Sequence, residues 1–315
     1  MNAIELKAYA KINLMLDVTG RREDGYHTVD MVMAQVDLCD RIVLKTESAA
    51  NPQKEFLPSV CLDIVGADLA ADSTNLAWKA AVLMQGVYRE QTGRTAPAVQ
   101  IRIEKKIPIA AGLAGGSADG AAVLIGLNQL WKMKLTLPEL MTLGCRLGAD
   151  VPFCLMGQAA LQPELGLEGG ASCARAQGIG ECLTPLPPLS LWALLIKPES
   201  LALSTAEVYQ ALDELEETVS LPHPEVSVFV EQLKKQNVEK IFPVMGNLLE
   251  KVVLFRYPIV KYTKNKINTK AGAACALMSG SGPTVFGLYR TEADCRTGWA
   301  AVKDEFPCAK VVRLL

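Results

Sequence analysis

The sequence predicts an α+β fold with two domains. Its 315 residues are more than one domain of ordinary size needs, and half of them are hydrophobic. Runs rich in β-branched residues come before the first helical pattern, and the order strand, glycine loop, helix follows at 101–131. A regular alternation of strand and helix is missing, so a uniform parallel sheet is not predicted. We place the two domains at 1–188 and 189–315.

The first strand is predicted at 4–18. Lys11 and Asn13 have the same parity within it, so on a strand both side chains project from one face. A solvated edge of the sheet is the alternative explanation for this pair. Because lysine is seldom buried without a partner, a lysine inside an apolar run is a candidate for function.

A polar turn at 20–27 (GRREDGYH) presents Tyr26 beside His27. An aromatic ring and an imidazole can stack on a heterocyclic base and hydrogen-bond its edge. The alternative is that both are ordinary surface residues that bind no ligand.

The remaining elements follow from periodicity and from capping and turn residues. Further strands are predicted at 29–36, 38–46, 60–64, 101–107, 181–186, 191–197, 273–277 and 284–289. Helices are predicted at 76–86, 121–131, 136–148 and 226–234, and others begin near 204 and 246, the last with a restart at Pro258. Loops are predicted near 49–54 and over 161–180.

The stretch 108–118 (PIAAGLAGGSA) is the main candidate for binding. Its glycines permit positive φ and close approach to a ligand, and the first amides of the following helix lack intrahelical acceptors. Phosphate fits there because those N–H groups and the helix dipole both favour an anion. The loop is neither a Walker A sequence nor GxGxxG. Tight turns and close helix packing are the alternative uses of such glycines.

Two further motifs, each with a proline, are candidates for the same site. Asp150 comes just before Val-Pro, where we predict a turn; an ordinary capping or turn aspartate is the alternative. The stretch 278–284 (MSGSGPT) joins two β-like runs. It is either a plain hairpin or a second pocket of backbone amides pressed against the first.

Composition excludes several classes of protein. A net charge of −2 argues against binding nucleic acid through bulk electrostatics. The N-terminal residues lack a signal pattern and no apolar run is long enough to span a bilayer, so a cytoplasmic protein without membrane contact is expected. Nine scattered cysteines without a CxxC pair favour reduced thiols, and two histidines leave little material for a metal cluster.

Three blocks of the sequence together resemble the GHMP kinase superfamily of small-molecule kinases. They are 8–40, then 108–131 with 148–157, and 272–289, and the resemblance extends over essentially the whole chain. Within the superfamily, the pairing of AYAKINL (8–14) with DGYH (24–27) resembles the branch that acts on a cytidine diphosphate-linked methylerythritol.

The resemblance implies a two-domain α+β GHMP-kinase-like fold with the active site in the cleft between the domains. It implies ATP as cosubstrate, Mg²⁺ as cofactor, and phosphorylation of the 2-hydroxyl of that substrate in non-mevalonate isoprenoid precursor biosynthesis. A monomer or homodimer is expected. The alternatives are another GHMP kinase, acting on mevalonate, homoserine or a sugar, and a catalytically silent relative that binds nucleotide.

The resemblance also implies roles for individual residues. Lys11 and Asp150 match the catalytic pair, Tyr26 and His27 the residues that hold cytosine, and Asn13 a neighbour of the reacting polyol. The ATP-binding positions are Pro108, Ile109, Ala110, Ala111, Gly112, Leu113, Ala114, Gly115, Gly116, Ser117 and Ala118, with Asn75 and Lys105 bordering the adenine. The metal ligands stay open, with Ser117 as a candidate. Residues 162–173 are expected to be an insertion, either a surface ornament or a lid.

Overall fold

The computed structural model describes residues 2–46, 59–199 and 201–315. These pack into two compact units that are interleaved along the chain. Unit 1 holds 2–10, 38–46, 59–107 and 114–171, and unit 2 holds the other described residues. The predicted boundary after residue 188 separates the two sequence domains expected of a GHMP kinase. It is a different division from these units and stays a prediction. The loop predicted near 49–54 lies outside the described residues.

The described residues form ten strands and ten α-helices. The strands are β1 (Asn2–Arg21), β2 (His27–Thr46), β3 (Val60–Val65), β4 (Val99–Glu104), β5 (Cys173–Gly178), β6 (Cys182–Pro185), β7 (Trp192–Ile196), β8 (Cys275–Met278), β9 (Val285–Tyr289) and β10 (Lys310–Arg313). The helices are α1 (Leu76–Thr92), α2 (Gly115–Leu130), α3 (Leu137–Cys145), α4 (Val151–Leu161), α5 (Thr205–Glu216), α6 (Val226–Lys234), α7 (Val238–Ile241), α8 (Glu250–Arg256), α9 (Pro258–Thr269) and α10 (Glu292–Val302). Among the helices of the described ranges, none has the length and apolar character to cross a membrane.

Unit 1 places helix α2 at the centre of its core. Strand β4 runs parallel to β3 and antiparallel to the second half of β2, with Ile103 opposite Ile42. Every residue of α2 from Ala118 to Asn128 is buried, as expected of a helix that is apolar on all sides. Gly126 permits this close packing, because a Cβ at that position would lie 2.4 Å from Cδ1 of Leu44.

Unit 2 contains a four-stranded antiparallel sheet in the order β10-β7-β9-β8. The first half of β2 pairs with β5, and β5 pairs with β6. Strand β1 is tied to the segment that leads into α8: the Leu16 N–H donates to the carbonyl of Gly246 at 2.9 Å, and the Leu248 N–H donates to the carbonyl of Leu16 at 2.9 Å. This segment therefore fixes the strand that carries Lys11 and Asn13.

The strands predicted at 29–36 and 38–46 are one continuous strand, β2. No glycine or proline interrupts the sequence between them. Two acidic residues within this strand have partners: Asp37 Oδ1 accepts the Arg313 N–H at 2.9 Å, and Asp40 Oδ1 accepts the Ile107 N–H at 2.9 Å. A buried carboxylate is compatible with a strand when its oxygens are hydrogen-bonded in this way.

Two other expectations were wrong. The loop predicted over 161–180 contains a short 3₁₀ helix, Pro163–Leu165, and strand β5. Strand β5 has no β-branched or aromatic residue, so its pairing with β2 and not its propensity makes it a strand. Helix α4 was not predicted, because Pro152 suggested a break; the proline stands in the first turn, where its missing N–H has no helical acceptor to lose.

Residues 162–171 of the expected insertion belong to unit 1 and pack against β1, α2 and α4. The Gln162 side chain exchanges two hydrogen bonds with the backbone of Lys7, at 2.9 and 3.0 Å, and the carbonyl of Leu165 accepts a hydrogen bond from Gln129 Nε2 at 2.6 Å. A Cβ on Gly170 would lie 2.3 Å from the backbone nitrogen of Ala160 in α4. These contacts favour a fixed surface element over a lid.

Candidate active site

Lys11 and Asn13 lie on one face of β1, as their parity predicted. Lys11 is 4% exposed and Asn13 is fully buried, which excludes a solvated edge face. Lys11 Nζ donates to Asn13 Oδ1 at 2.7 Å, and the Lys11 N–H donates to the carbonyl of Leu113 at 3.1 Å. Lys11 therefore places a buried ammonium group beside the glycine stretch, which suits a site for a negatively charged ligand.

The hairpin loop between β8 and β9 packs against this pair and against the first part of the glycine stretch. Ser279 Oγ donates to the carbonyl of Gly112 at 2.8 Å and accepts the Asn13 N–H at 3.3 Å. A Cβ on Gly112 would lie 2.1 Å from the Ser279 carbonyl oxygen, and a Cβ on Gly280 would lie 3.5 Å from Lys11 Nζ. Close approach therefore requires glycine at 112, whereas at 280 the positive φ of 57° is what favours glycine. We call these five residues the Lys11 cluster.

Asn247 and Glu250 hold this hairpin loop in place, and sequence reasoning missed both. Asn247 Nδ2 donates to the carbonyls of Met278 and Gly280, each at 2.8 Å, and its Oδ1 accepts the Leu249 N–H at 3.0 Å. Glu250 Oε1 accepts the Met278 N–H at 2.7 Å. Burial raises the pKa of Glu250, although Lys264, 2.5 Å from its other oxygen, opposes that rise.

The second part of the glycine stretch forms the start of α2 in unit 1. Ala114 precedes the helix with φ of 56° and provides no side-chain cap, so the first N–H groups of α2 have neither an intrahelical acceptor nor a cap. The first intrahelical bond runs from the Ala118 N–H to the carbonyl of Ala114 at 2.9 Å. Gly116 is exposed and Ser117 is half-buried. This is the anion-binding end of a helix, and the predicted order of strand, glycine loop and helix is confirmed.

Lys105 is engaged by two carboxylates of unit 1. Its Nζ lies 2.5 Å from Asp40 Oδ2 and 2.7 Å from Asp119 Oδ2, and all three side chains are almost fully buried. Burial lowers the pKa of Lys105, but the two carboxylates outweigh it and leave that pKa above its ordinary value. Contact between Lys105 and an adenine stays a prediction. A Cβ on Gly115 would lie 3.3 Å from Lys105 Nζ, so this ion pair lies directly beside the first turn of α2.

Asp119 has an unusual protonation behaviour. Burial raises its pKa to about 8, against the opposing pull of the Lys105 ammonium, and the neighbouring Asp40 adds to the rise. Its Oδ1 has no hydrogen-bond partner among the residues that the structure describes. Burial therefore favours the neutral form of the Asp119 carboxyl beside Lys105 and Asp40.

Replacing Asp119 with asparagine is expected to change how stability depends on pH. Unfolded Asp119 loses its proton near pH 4, whereas folded Asp119 keeps it up to about pH 8, so the folded state binds more protons in that window. Stability therefore falls as pH rises from about 4 to about 8, by at most about 1.4 kcal/mol per pH unit from this group. Asparagine resembles the neutral carboxyl, so Asp119→Asn should become more stable than the wild type as pH rises. Urea unfolding at pH 5, 6.5 and 8 measures the difference; a constant difference would contradict it.

Asn75 caps helix α1. Its Oδ1 accepts the Ala77 N–H at 2.9 Å, and its Nδ2 donates to the carbonyl of Ala70 at 3.2 Å. The predicted helix cap is confirmed. The role of Asn75 beside the adenine stays a prediction.

Asp150 occupies the N-cap position of α4, but its side chain does not cap the helix. Its backbone is helical, with φ of −81° and ψ of −14°, and its carbonyl accepts the Cys154 N–H at 3.1 Å. Its side chain therefore does not cap the helix, although the residue lies in a turn, as predicted. Asp150 thus stands at the N-terminal end of α4.

Tyr26 and His27 have different surroundings in unit 2. Tyr26 is 61% exposed. The His27 side chain is only 12% exposed: its Nε2 lies 2.7 Å from Asp213 Oδ1, and its ring centroid lies 4.8 Å from that of Tyr209. Asp213 and Tyr209 were not predicted, although both lie on the helix predicted to begin near 204. Tyr26 is thus accessible to a ligand. His27, the next residue, is held in a defined position by Asp213 and Tyr209.

The two units divide the predicted residues between them. Unit 2 contains Lys11, Asn13, Tyr26, His27 and residues 108–113, and it brings Lys11 and Asn13 together with Gly112. Unit 1 contains Asn75, Lys105, Asp150 and residues 114–118. The hairpin loop is confirmed both as a turn between strands and as a neighbour of the glycine stretch.

Comparison with known proteins identifies the family. A family model of the GHMP kinases N terminal domain matches residues 75–158, and one of the GHMP kinases C terminal matches residues 229–308. The 4-diphosphocytidyl-2-C-methyl-D-erythritol kinase of Exiguobacterium sibiricum (strain DSM 17290 / CCUG 55495 / CIP 109462 / JCM 13490 / 255-15) is 42% identical over 318 residues, which cover 99% of this chain and 98% of that protein. The chain belongs to the 4-diphosphocytidyl-2-C-methyl-D-erythritol kinase family.

Other members of the family agree with this assignment. The 4-diphosphocytidyl-2-C-methyl-D-erythritol kinase of Alkaliphilus metalliredigens (strain QYMF) is 42% identical over 295 residues, 92% of this chain and 89% of that protein. A crystal structure of a 4-(cytidine 5'-diphospho)-2C-methyl-D-erythritol kinase has a TM-score of 0.73 and 32% identity, with 99% of both chains covered. The predictions of a GHMP-kinase α+β fold and of an ATP-dependent small-molecule kinase are confirmed.

Proposed function

We propose that this kinase transfers the γ-phosphoryl group of ATP to the 2-hydroxyl of 4-diphosphocytidyl-2-C-methyl-D-erythritol, giving the 2-phosphate and ADP. The observation that carries the proposal is 42% identity over nearly the whole chain to a relative of that name. The buried Lys11 cluster and the open amides of α2 supply the chemistry that such a reaction needs.

Binding of ATP is assigned to residues 108–118, with Asn75 and Lys105 on the adenine side. Free N–H groups at the start of α2 and the helix dipole favour the phosphates. Phosphoryl transfer depends mainly on positioning and on charge stabilisation. Gly112 lets the glycine stretch pack against the hairpin loop, because a Cβ there would lie 2.1 Å from the Ser279 carbonyl oxygen, and this contact holds the stretch beside Lys11.

Asp150 is the proposed base that accepts the proton of the attacking 2-hydroxyl. Lys11 is its proposed partner, with an ammonium that stabilises the developing alkoxide. The burial of Lys11 supports this role, because a charge acts more strongly where water is excluded. The proposed role of Asp150 as the base is supported by its side chain, which does not serve as the cap of α4.

Mg²⁺ is proposed as the cofactor that neutralises charge on the phosphates. A hydroxyl oxygen together with phosphate oxygens is a donor set that suits this hard cation. The half-buried Ser117 in the first turn of α2 would supply the hydroxyl.

Tyr26 and His27 are proposed to hold the cytosine, and Asn13 to lie near the polyol. The exposed ring of Tyr26 is available for stacking, and the imidazole of His27 is held by Asp213. The cytoplasmic location and the state of monomer or homodimer stay predictions.

A comparison of acceptor alcohols tests the function. The enzyme is incubated with ATP and Mg²⁺ and, in separate reactions, with the cytidylyl alcohol, mevalonate, homoserine and galactose; ADP and loss of alcohol are measured. Only the cytidylyl alcohol is expected to be consumed. Turnover of another alcohol in its place favours another GHMP kinase activity, and ATP binding without turnover of any alcohol favours a silent relative; either result contradicts the proposal.

Replacing Tyr26 or His27 with alanine is expected to raise the KM for the cytidylyl alcohol by roughly 5- to 100-fold, because aromatic stacking on a base contributes about 1–3 kcal/mol. The KM for ATP should change less than twofold. Tyr26→Phe is the matched control, since it keeps the ring and loses only the hydroxyl. Steady-state kinetics with each substrate varied in turn gives both constants, and equal effects on the two would remove the base-recognition role.

A further inference from the structure

Helix α5 holds His27 in place. The Nε2 atom of His27 lies 2.7 Å from Asp213 Oδ1, and its ring meets that of Tyr209 at 32° with centroids 4.8 Å apart. Tyr209 and Asp213 are four residues apart on α5, so they project from the same face of the helix. One face of α5 therefore supplies both a carboxylate and an aromatic ring to the imidazole.

The carboxylate decides which nitrogen of His27 carries a proton. An ionised carboxylate only accepts hydrogen bonds, so the contact with Asp213 requires the proton on Nε2. In the neutral imidazole this leaves Nδ1 without a proton and makes it an acceptor. An acceptor pairs with the C4 amino group of cytosine, whereas uracil has a second acceptor, a carbonyl, at that position.

We infer that Asp213 is a positioning residue that sets the tautomer of His27 and thereby selects cytosine over uracil in the substrate. This inference rests on the proposed function, in which His27 touches the base. Arg21 contacts the other oxygen of Asp213, with its Nη1 3.2 Å from Oδ2, and does not contact His27 through it. The Arg21 side chain is well exposed, so its contribution to stability is small.

The preference between two substrates tests the inference. Asp213→Asn can turn either an oxygen or an amide nitrogen toward His27, so the proton on Nε2 is no longer required. The ratio of kcat/KM for the cytidine diphosphate-linked and uridine diphosphate-linked methylerythritols is expected to fall roughly tenfold or more from its wild-type value. The change should lie mainly in KM for the cytidine substrate. Asp213→Glu keeps a carboxylate and is expected to retain more of the preference.

Arg21→Gln is the matched control, because it removes the other partner of Asp213 without touching His27; the ratio should stay within about twofold of wild type. An unchanged ratio in Asp213→Asn, together with a lowered ratio in His27→Ala, overturns the inference and leaves the proposed function standing. A wild-type enzyme that phosphorylates neither substrate overturns the proposed function itself. Loss of thermal stability in Asp213→Asn with an unchanged ratio shows that the contact is only structural and also overturns the inference.

Discussion

Asp150→Asn is expected to lower kcat by roughly 10²- to 10⁴-fold, the usual contribution of a positioned general base. Asparagine has nearly the same shape as aspartate but cannot take the proton of the attacking hydroxyl. The KM values for ATP and for the cytidylyl alcohol should change little, because the proposed role is in the transition state. Steady-state ADP formation with both substrates at saturation measures the effect.

Folding effects can be separated from this loss. The Asp150 side chain does not cap α4, so asparagine should leave the thermal unfolding midpoint close to wild type. Asp72→Asn is the matched control, since Asp72 is an exposed turn aspartate ahead of α1 whose carboxylate accepts the Thr74 N–H at 2.8 Å. Its kcat should stay within about twofold of wild type. Near-normal turnover in Asp150→Asn would show that another group is the base.

Lys105→Met is expected to destabilise the protein by about 3–5 kcal/mol, the typical cost of removing one partner from a buried ion pair. Methionine fills similar space but leaves the buried Asp40 and Asp119 without a cation. The backbone N–H groups of Lys106 and Ile107 still reach Asp40 Oδ1, so part of that carboxylate stays satisfied. Urea unfolding at neutral pH, monitored by circular dichroism, measures the change.

Lys106→Met is the control for that experiment, because Lys106 is the next residue and is exposed. Its free energy of unfolding should stay within about 0.5 kcal/mol of wild type. Adding Asp119→Asn to Lys105→Met should recover little stability at neutral pH, because without the Lys105 cation the buried Asp119 carboxyl already keeps its proton. A stable Lys105→Met variant with a raised KM for ATP would instead make Lys105 a nucleotide contact and not a structural cation.

Local patterns in the sequence predicted much of the unit 2 site. The parity of Lys11 and Asn13 predicted their common face, because side-chain alternation along a strand is independent of the rest of the fold. The glycines at 112 and 280 pointed to close backbone approach, and the Ser279–Gly112 contact confirms it. A backbone position that needs positive φ or close approach favours glycine, so it can be recognised in the sequence.

Long-range partners left no such signature. Asp213 is 186 residues from His27, and Asp40 is 65 residues from Lys105. Each is an ordinary acidic residue in its local sequence, so only the folded arrangement shows its role. The one available signal for Asp213 was its i, i+4 spacing from Tyr209 on a predicted helix. Strand β5 and helix α4 were missed for a related reason: tertiary pairing and packing outweigh local propensity there.

The most direct test of the central claim is the ³¹P NMR spectrum of the product formed from ATP and 4-diphosphocytidyl-2-C-methyl-D-erythritol. The C2 carbon of that substrate carries a methyl group and no hydrogen, so a phosphate on its hydroxyl has no three-bond proton partner. We predict a new phosphomonoester signal that is a singlet in the proton-coupled spectrum, together with the two signals of ADP. A doublet or triplet, from transfer to the C3 or C1 hydroxyl, or no new phosphomonoester at all, would contradict the account.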